Sequence, residues 1–130
     1  MIYGYTIFYV DDVEASIAFY EKAFGFTRKF ITPEKDYGEL LSGETTIAFA
    51  SIELGQSNLK QGFKKISTSE KPIGMEMAFV TDEIERDFQK AIDAGAKAVE
   101  PITQKPWGQK VGYLQDINGV LIEICTPINN

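Results

Sequence analysis

Two short runs, Tyr5 to Val10 (YTIFYV) and Met75 to Val80 (MEMAFV), concentrate aromatic, β-branched and long apolar residues, and this composition predicts strands. Helical spacing follows each of them. In the first case Val13, Ile17, Tyr20 and Phe24 form the apolar stripe, Asp11 or Asp12 is placed to cap the start, and Gly25 stands at the stop. In the second, Ile84, Phe88 and Ile92 form the stripe, Asp82 and Glu85 read as an acidic capping box, and Gly95 ends it. Helices are therefore predicted near Val13–Phe24 and Ile84–Ala94. Beyond each helix lie strand-like pieces joined by turn residues. Gly38 to Leu41 and Thr45 to Ser51 flank Ser42-Gly43, while Lys110 to Leu114 and Val120 to Thr126 flank the hairpin loop Asp116-Ile117-Asn118-Gly119.

The two halves repeat one another. At an offset of 70, Val10 meets Val80, Asp12 meets Asp82 and Gly25 meets Gly95. Each half reads as strand, helix and roughly three further strands, an α+β architecture built from duplicated modules related by a pseudo-twofold. Module one covers about 1–53 and module two about 74–130. The polar connection of about 54–73, with Ser57-Asn58, Gln61-Gly62 and Pro72, reads as a mobile segment or a lid. The paired sheets are expected to combine into one curved surface with the helices outside.

Composition narrows the chemistry. The 130 residues include no His, which removes the Ser-His-Asp relay, an imidazole base and imidazole metal ligands. The single Cys, Cys125, has no intrachain disulfide partner; without a His to activate it, an inward-facing thiol behaves as a small hydrophobe. A net charge of −6 with scattered basic residues argues against a nucleic-acid partner. Neither a signal peptide nor a membrane span is legible, so the chain is expected to be cytoplasmic with no membrane partner.

The opening YVDDVEASIAFYEKAFGF, the paired modules and the closing PWGQKVGYLQDINGVLIEICTP resemble the vicinal oxygen chelate superfamily, which includes glyoxalases, bleomycin-resistance proteins and extradiol dioxygenases. The resemblance covers almost the whole chain. It implies two βαβββ modules, a U-shaped sheet around a cavity, helices on the outer face, and a homodimer. Enzymes of the superfamily hold a divalent metal on the inner face of that sheet. Placed by motif, the four ligand positions fall on Tyr5, Ala48, Met75 and Glu123. Only Glu123 offers a carboxylate, and one carboxylate, one phenol and two apolar residues do not make a cage. No metal and no other cofactor is therefore expected.

Each candidate residue has two readings. Alternation along Val120 to Cys125 sends Ile122 and Ile124 to the helices and Leu121, Glu123 and Cys125 to the other face. Glu123 is then a ligand-orienting acceptor or a base of raised pKa, or else a relic acid bonded to a neighbouring Tyr or Lys. Tyr5 shares its face with Ile7 and Tyr9, and is a hydrogen-bonding phenol or an aromatic filler. Met75, in alternation with Met77 and Phe79, offers adaptable apolar contact or plain core packing. Trp107, between Pro106 and Gly108, is a stacking platform for a planar ligand or a loop anchor. Tyr113 adds a further aromatic on or near the sheet. The leading expectation is a metal-free binder that sequesters a small aromatic or amphipathic molecule, uncharged or cationic because Glu123 repels anions. The alternatives are a glyoxalase-type lyase or isomerase with atypical metal ligands or Glu123 as base, and a dimeric interaction module without a ligand.

Overall fold

The protein is described from a computed structural model covering residues 1–128. The chain divides into two compact units, one ending at Ile66 and the other beginning at Ser67. Module two was read as running to residue 130, and its last two positions lie outside the described residues.

The first unit runs β1 (Tyr5–Val10), α1 (Val13–Phe24), β2 (Thr27–Ile31), β3 (Tyr37–Ser42), β4 (Thr45–Ser51) and α2 (Ile52–Asn58). Its sheet has the order β1-β4-β3-β2, with β1 parallel to β4 and the other pairs antiparallel. The predicted first helix forms over Val13–Phe24: the Asp12 side chain accepts from the Ala15 N–H at 2.9 Å, and Gly25 closes the helix at φ 72° in the left-handed region. Period-two alternation then decides what the sheet shows the helix. Phe8 and Val10 turn inward and join Phe49 and Leu40, while Ile17 and Tyr20 arrive from α1. The Tyr20 and Phe49 rings lie 5.0 Å apart, Phe8 and Phe49 5.9 Å apart. Each such buried side chain contributes about 1.5–3 kcal/mol relative to exposure. Helix α2 was not foreseen. Ser51 ends β4 and caps α2 by accepting from the Leu54 N–H at 3.1 Å, so part of the segment read as a flexible connection is a packed helix.

The second unit runs β5 (Met77–Val80), α3 (Ile84–Ala94), β6 (Lys97–Gln104), β7 (Lys110–Gln115) and β8 (Leu121–Cys125), with sheet order β5-β8-β7-β6 and the same pattern of one parallel and two antiparallel pairs. Ile122, Ile124 and Leu114 supply its buried face, and Ile84 and Ala91 of α3 cover it. The expected capping box of Asp82 and Glu85 does not form. Glu83 occupies the N-cap position without a side-chain cap bond, Thr81 Oγ1 instead accepts from the Glu83 N–H at 3.0 Å, and Glu85 is drawn to Lys110 at 2.9 Å. In the β7–β8 turn Asp116 Oδ1 accepts from the N–H groups of Asn118 (2.8 Å) and Val120 (2.9 Å), the turn role read from sequence. Strand β6 is irregular: its register against β7 shifts between Ala98 and Glu100 and again between Glu100 and Thr103, around Pro101.

Together these are two four-stranded mixed sheets with three helices, an α+β fold of two similar modules.

Candidate functional site

In each unit one sheet face is covered by a helix, and the candidate residues belong to the opposite face. In the second unit Glu123 on β8 pairs with Ala78 on β5 and with Tyr113 on β7, and paired residues project to the same side. The Tyr113 hydroxyl donates to Glu123 Oε1 at 3.2 Å. Glu76, two residues before Ala78, lies close enough to Glu123 for the two carboxyls to interact. Burial first, then the interaction with Glu123, pushes the Glu76 carboxyl above the ordinary carboxylate range. The same neighbourhood holds other protons in place. Burial, then the charge of Glu123 and the hydrogen bond to it, raises the Tyr113 phenol. Cys125 is 2% exposed, its Sγ lies 3.7 Å from the Phe79 carbonyl oxygen, and burial followed by a hydrogen bond to Glu123 pushes its thiol up to about 11. Two carboxyls, a phenol and a thiol thus share one neighbourhood.

This register corrects the placement of Met75 and Met77. Met77 pairs with Ile122 and Phe79 with Ile124, both of which face α3, and Met75 precedes the strand. Equivalent rungs of the two sheets are Ile7 beside Ala48 and Ala78 beside Glu123, an offset of 71 (78 minus 7) where the aligned Val and Asp residues suggested 70. Because strand side chains alternate, one residue of slip exchanges the faces. The position matching Tyr5 is therefore Glu76. The sequence does contain the clue: Glu76 is the one charged member of MEMAFV, and a carboxylate fits poorly on a buried face.

In the first unit the matching rung is Ile7, Ala48 and Glu39. Ala48 has no exposed surface and offers nothing for a ligand to touch, whereas Tyr5 and Ile7 are exposed. Beside them runs a polar chain that the sequence reading missed. The Tyr37 hydroxyl donates to Glu39 Oε2 at 2.6 Å, and Lys29 Nζ lies 3.2 Å from Glu39 Oε1. Burial, then the bond to Glu39, holds the Tyr37 phenol well above its usual range. The signal was the alternation in Tyr37-Gly38-Glu39-Leu40, with Gly38 and Leu40 buried and Tyr37 and Glu39 on the other side.

Trp107 stands in the turn joining β6 to β7. Lys105 N–H donates to the Gln109 carbonyl (2.8 Å), Gly108 N–H to the Lys105 carbonyl (2.9 Å), and Gly108 adopts φ 96°. The indole is 62% exposed, and its N–H donates to Gln109 Oε1 at 2.8 Å.

The divalent ion implied by the resemblance does not match this donor set. Among the described residues no three His, Cys, Asp or Glu side chains come together in a way that could hold a metal ion. Glu123 accepts from the Tyr113 hydroxyl, and Glu39 is ion-paired with Lys29. A catalytic site of three protein ligands is not assembled within either unit.

The arrangement agrees with comparisons against known proteins. The family model described as the glyoxalase/bleomycin resistance protein/dioxygenase superfamily matches residues 2–124. An uncharacterised protein of Bacillus subtilis (strain 168), YwbC, is 31% identical over 118 residues, covering 88% of each chain. Among solved structures, a glyoxalase-related enzyme from Fulvimarina pelagi superposes with a TM-score of 0.82 at 21% identity, over 98% of this chain and 88% of that one. A glyoxalase/bleomycin resistance protein/dioxygenase family enzyme from Burkholderia phytofirmans PsJN gives 0.81 at 22% identity, over 95% and 96%. The strand order, the repeated module and the match along nearly the whole length lead to one conclusion: this chain belongs to the glyoxalase/bleomycin resistance protein/dioxygenase superfamily.

Proposed function

We propose that the protein binds and sequesters a small aromatic or amphipathic molecule, uncharged or cationic, and does so without a metal ion. The observation that carries this reading is the neighbouring carboxyls of Glu76 and Glu123, with Tyr113 donating to Glu123, on the sheet face opposite the helix. A pair of carboxyls with at least one of them ionised carries a net negative charge that attracts a cation and rejects an anion. Within the same unit, the exposed ring of Trp107 supplies aromatic surface of the kind such a molecule needs. The test pairs calorimetric titration of ethidium, a planar aromatic cation, and Nile red, a neutral one, with elemental analysis of protein purified without chelator. Saturable binding with no stoichiometric metal supports the reading. Stoichiometric metal that is lost in Glu123→Gln overturns it.

The same pair also favours a second reading, a metal-free lyase or isomerase of glyoxalase type. A carboxyl of raised pKa beside a second carboxyl is the equipment of general acid–base catalysis. Turnover abolished in both Glu76→Gln and Glu123→Gln, with ligand binding retained, would establish that reading. In either case we propose that the molecule works as a cytoplasmic homodimer.

A further inference from the structure

We propose that Gln109 is a positioning residue that locks the Trp107 indole as a preset stacking surface for the planar ring of the ligand; this rests on the binding reading above. An indole as exposed as this one has water available for its N–H, so an internal acceptor is not needed to satisfy it. It has one nevertheless. Gln109 Oε1 takes the indole N–H at 2.8 Å, and the same amide, through Nε2, donates to the Thr126 carbonyl at 2.8 Å. The amide is therefore held at both ends, with its far end on the backbone just beyond β8, and the ring it holds sits in a turn already tightened by Gly108. Fixing a side chain in advance removes the ordering cost that a ligand would otherwise meet on binding.

The clamp is also on the relevant side. Lys110 sends its ammonium to Glu85 at the start of α3, the helix-covered side. Counting back by twos from Tyr113 through Val111 reaches Gln109, and Val111 pairs with Cys125, so the clamp continues the face that carries Tyr113, Glu123 and Cys125 past the Cys125 end of β8.

Trp107 is the only tryptophan, so its fluorescence reports this side chain alone. Gln109→Met keeps the bulk of the side chain and removes both hydrogen bonds. The expected result is a fall in tryptophan anisotropy on the nanosecond scale, unchanged far-ultraviolet circular dichroism, and ethidium affinity weakened roughly three- to tenfold, the scale of one aromatic contact. Trp107→Phe should weaken ethidium to a similar degree, and adding Gln109→Met to it should cost nothing more. Unchanged anisotropy overturns the positioning role whatever happens to binding. Lowered anisotropy with unchanged affinity, or a further loss in the double variant, overturns the stacking role. A wild-type protein that binds no ethidium counts against the binding reading, while the anisotropy comparison still decides whether Gln109 holds the ring.

Discussion

Glu76 was not legible as a site residue, and the shift of its carboxyl sets a pH dependence with a definite sign. A carboxyl whose folded-state pKa lies above its unfolded value contributes stability that is fully present below the unfolded value, about 4.3, and is lost as pH rises through the folded one. Glu76→Gln removes that loss. In urea denaturation at pH 7 the variant is expected to be at least as stable as wild type, and its stability should fall less between about pH 4 and 7 than that of the parent. A variant less stable than wild type at pH 7 would show that the ionised pair is favourable as it stands. Cys125 allows a second check of the same neighbourhood. With the thiol pushed up to about 11 and almost wholly buried, alkylation by iodoacetamide at pH 7 should run roughly a hundredfold slower in the folded protein than in urea. Rapid labelling of the native state would mean that the face opens readily.

At the level of elements, the two modules share a feature less visible than their helices. Gly38 on β3 and Gly112 on β7 each sit on the helix-covered face, and a Cβ at either would meet its neighbours: Ile31 Cγ1 at 3.1 Å in one case, Phe88 Cε2 at 2.9 Å and Ile102 Cγ1 at 3.0 Å in the other. Gly112→Ala should therefore lower stability by about 1–3 kcal/mol through overpacking, as urea denaturation would measure. Ser51→Ala, which removes the cap of α2, should cost about 1 kcal/mol. What the sequence showed and what it hid have physical causes. Helices α1 and α3 were legible because their apolar residues recur at helical spacing and end at Gly25 and Gly95. Strands β2 and β6 were not located, since TRKFI and KAVEPITQ are mostly exposed and lack clean alternation. The candidate site was half legible. Glu123 and Tyr113 emerged from alternation, while Glu76 was hidden by a slip of one residue between the repeats, which no count of apolar residues reveals but which exchanges the faces of a whole strand.

At the scale of the whole molecule, the proposed homodimer predicts a sedimentation mass of about twice 14.5 kDa at micromolar concentration. A mass that stays near 14.5 kDa at every concentration tested would refute it. No described helix is long and apolar enough to cross a membrane. The broken register of β6 has a consequence for how copies of the chain behave when crowded. Fibrils grow when a flat, uninterrupted outer strand offers its free amides and carbonyls to an incoming chain. Strand β6 lies at the end of its sheet, slips twice, and carries Pro101, which has no amide hydrogen to give. Strand β2, at the end of the other sheet, slips once between Arg28 and Phe30, and its two charged residues there are ion-paired, Arg28 with Glu21 and Lys29 with Glu39. The same irregularity that conceals these two strands in the sequence makes each of them a poor template for a neighbouring chain.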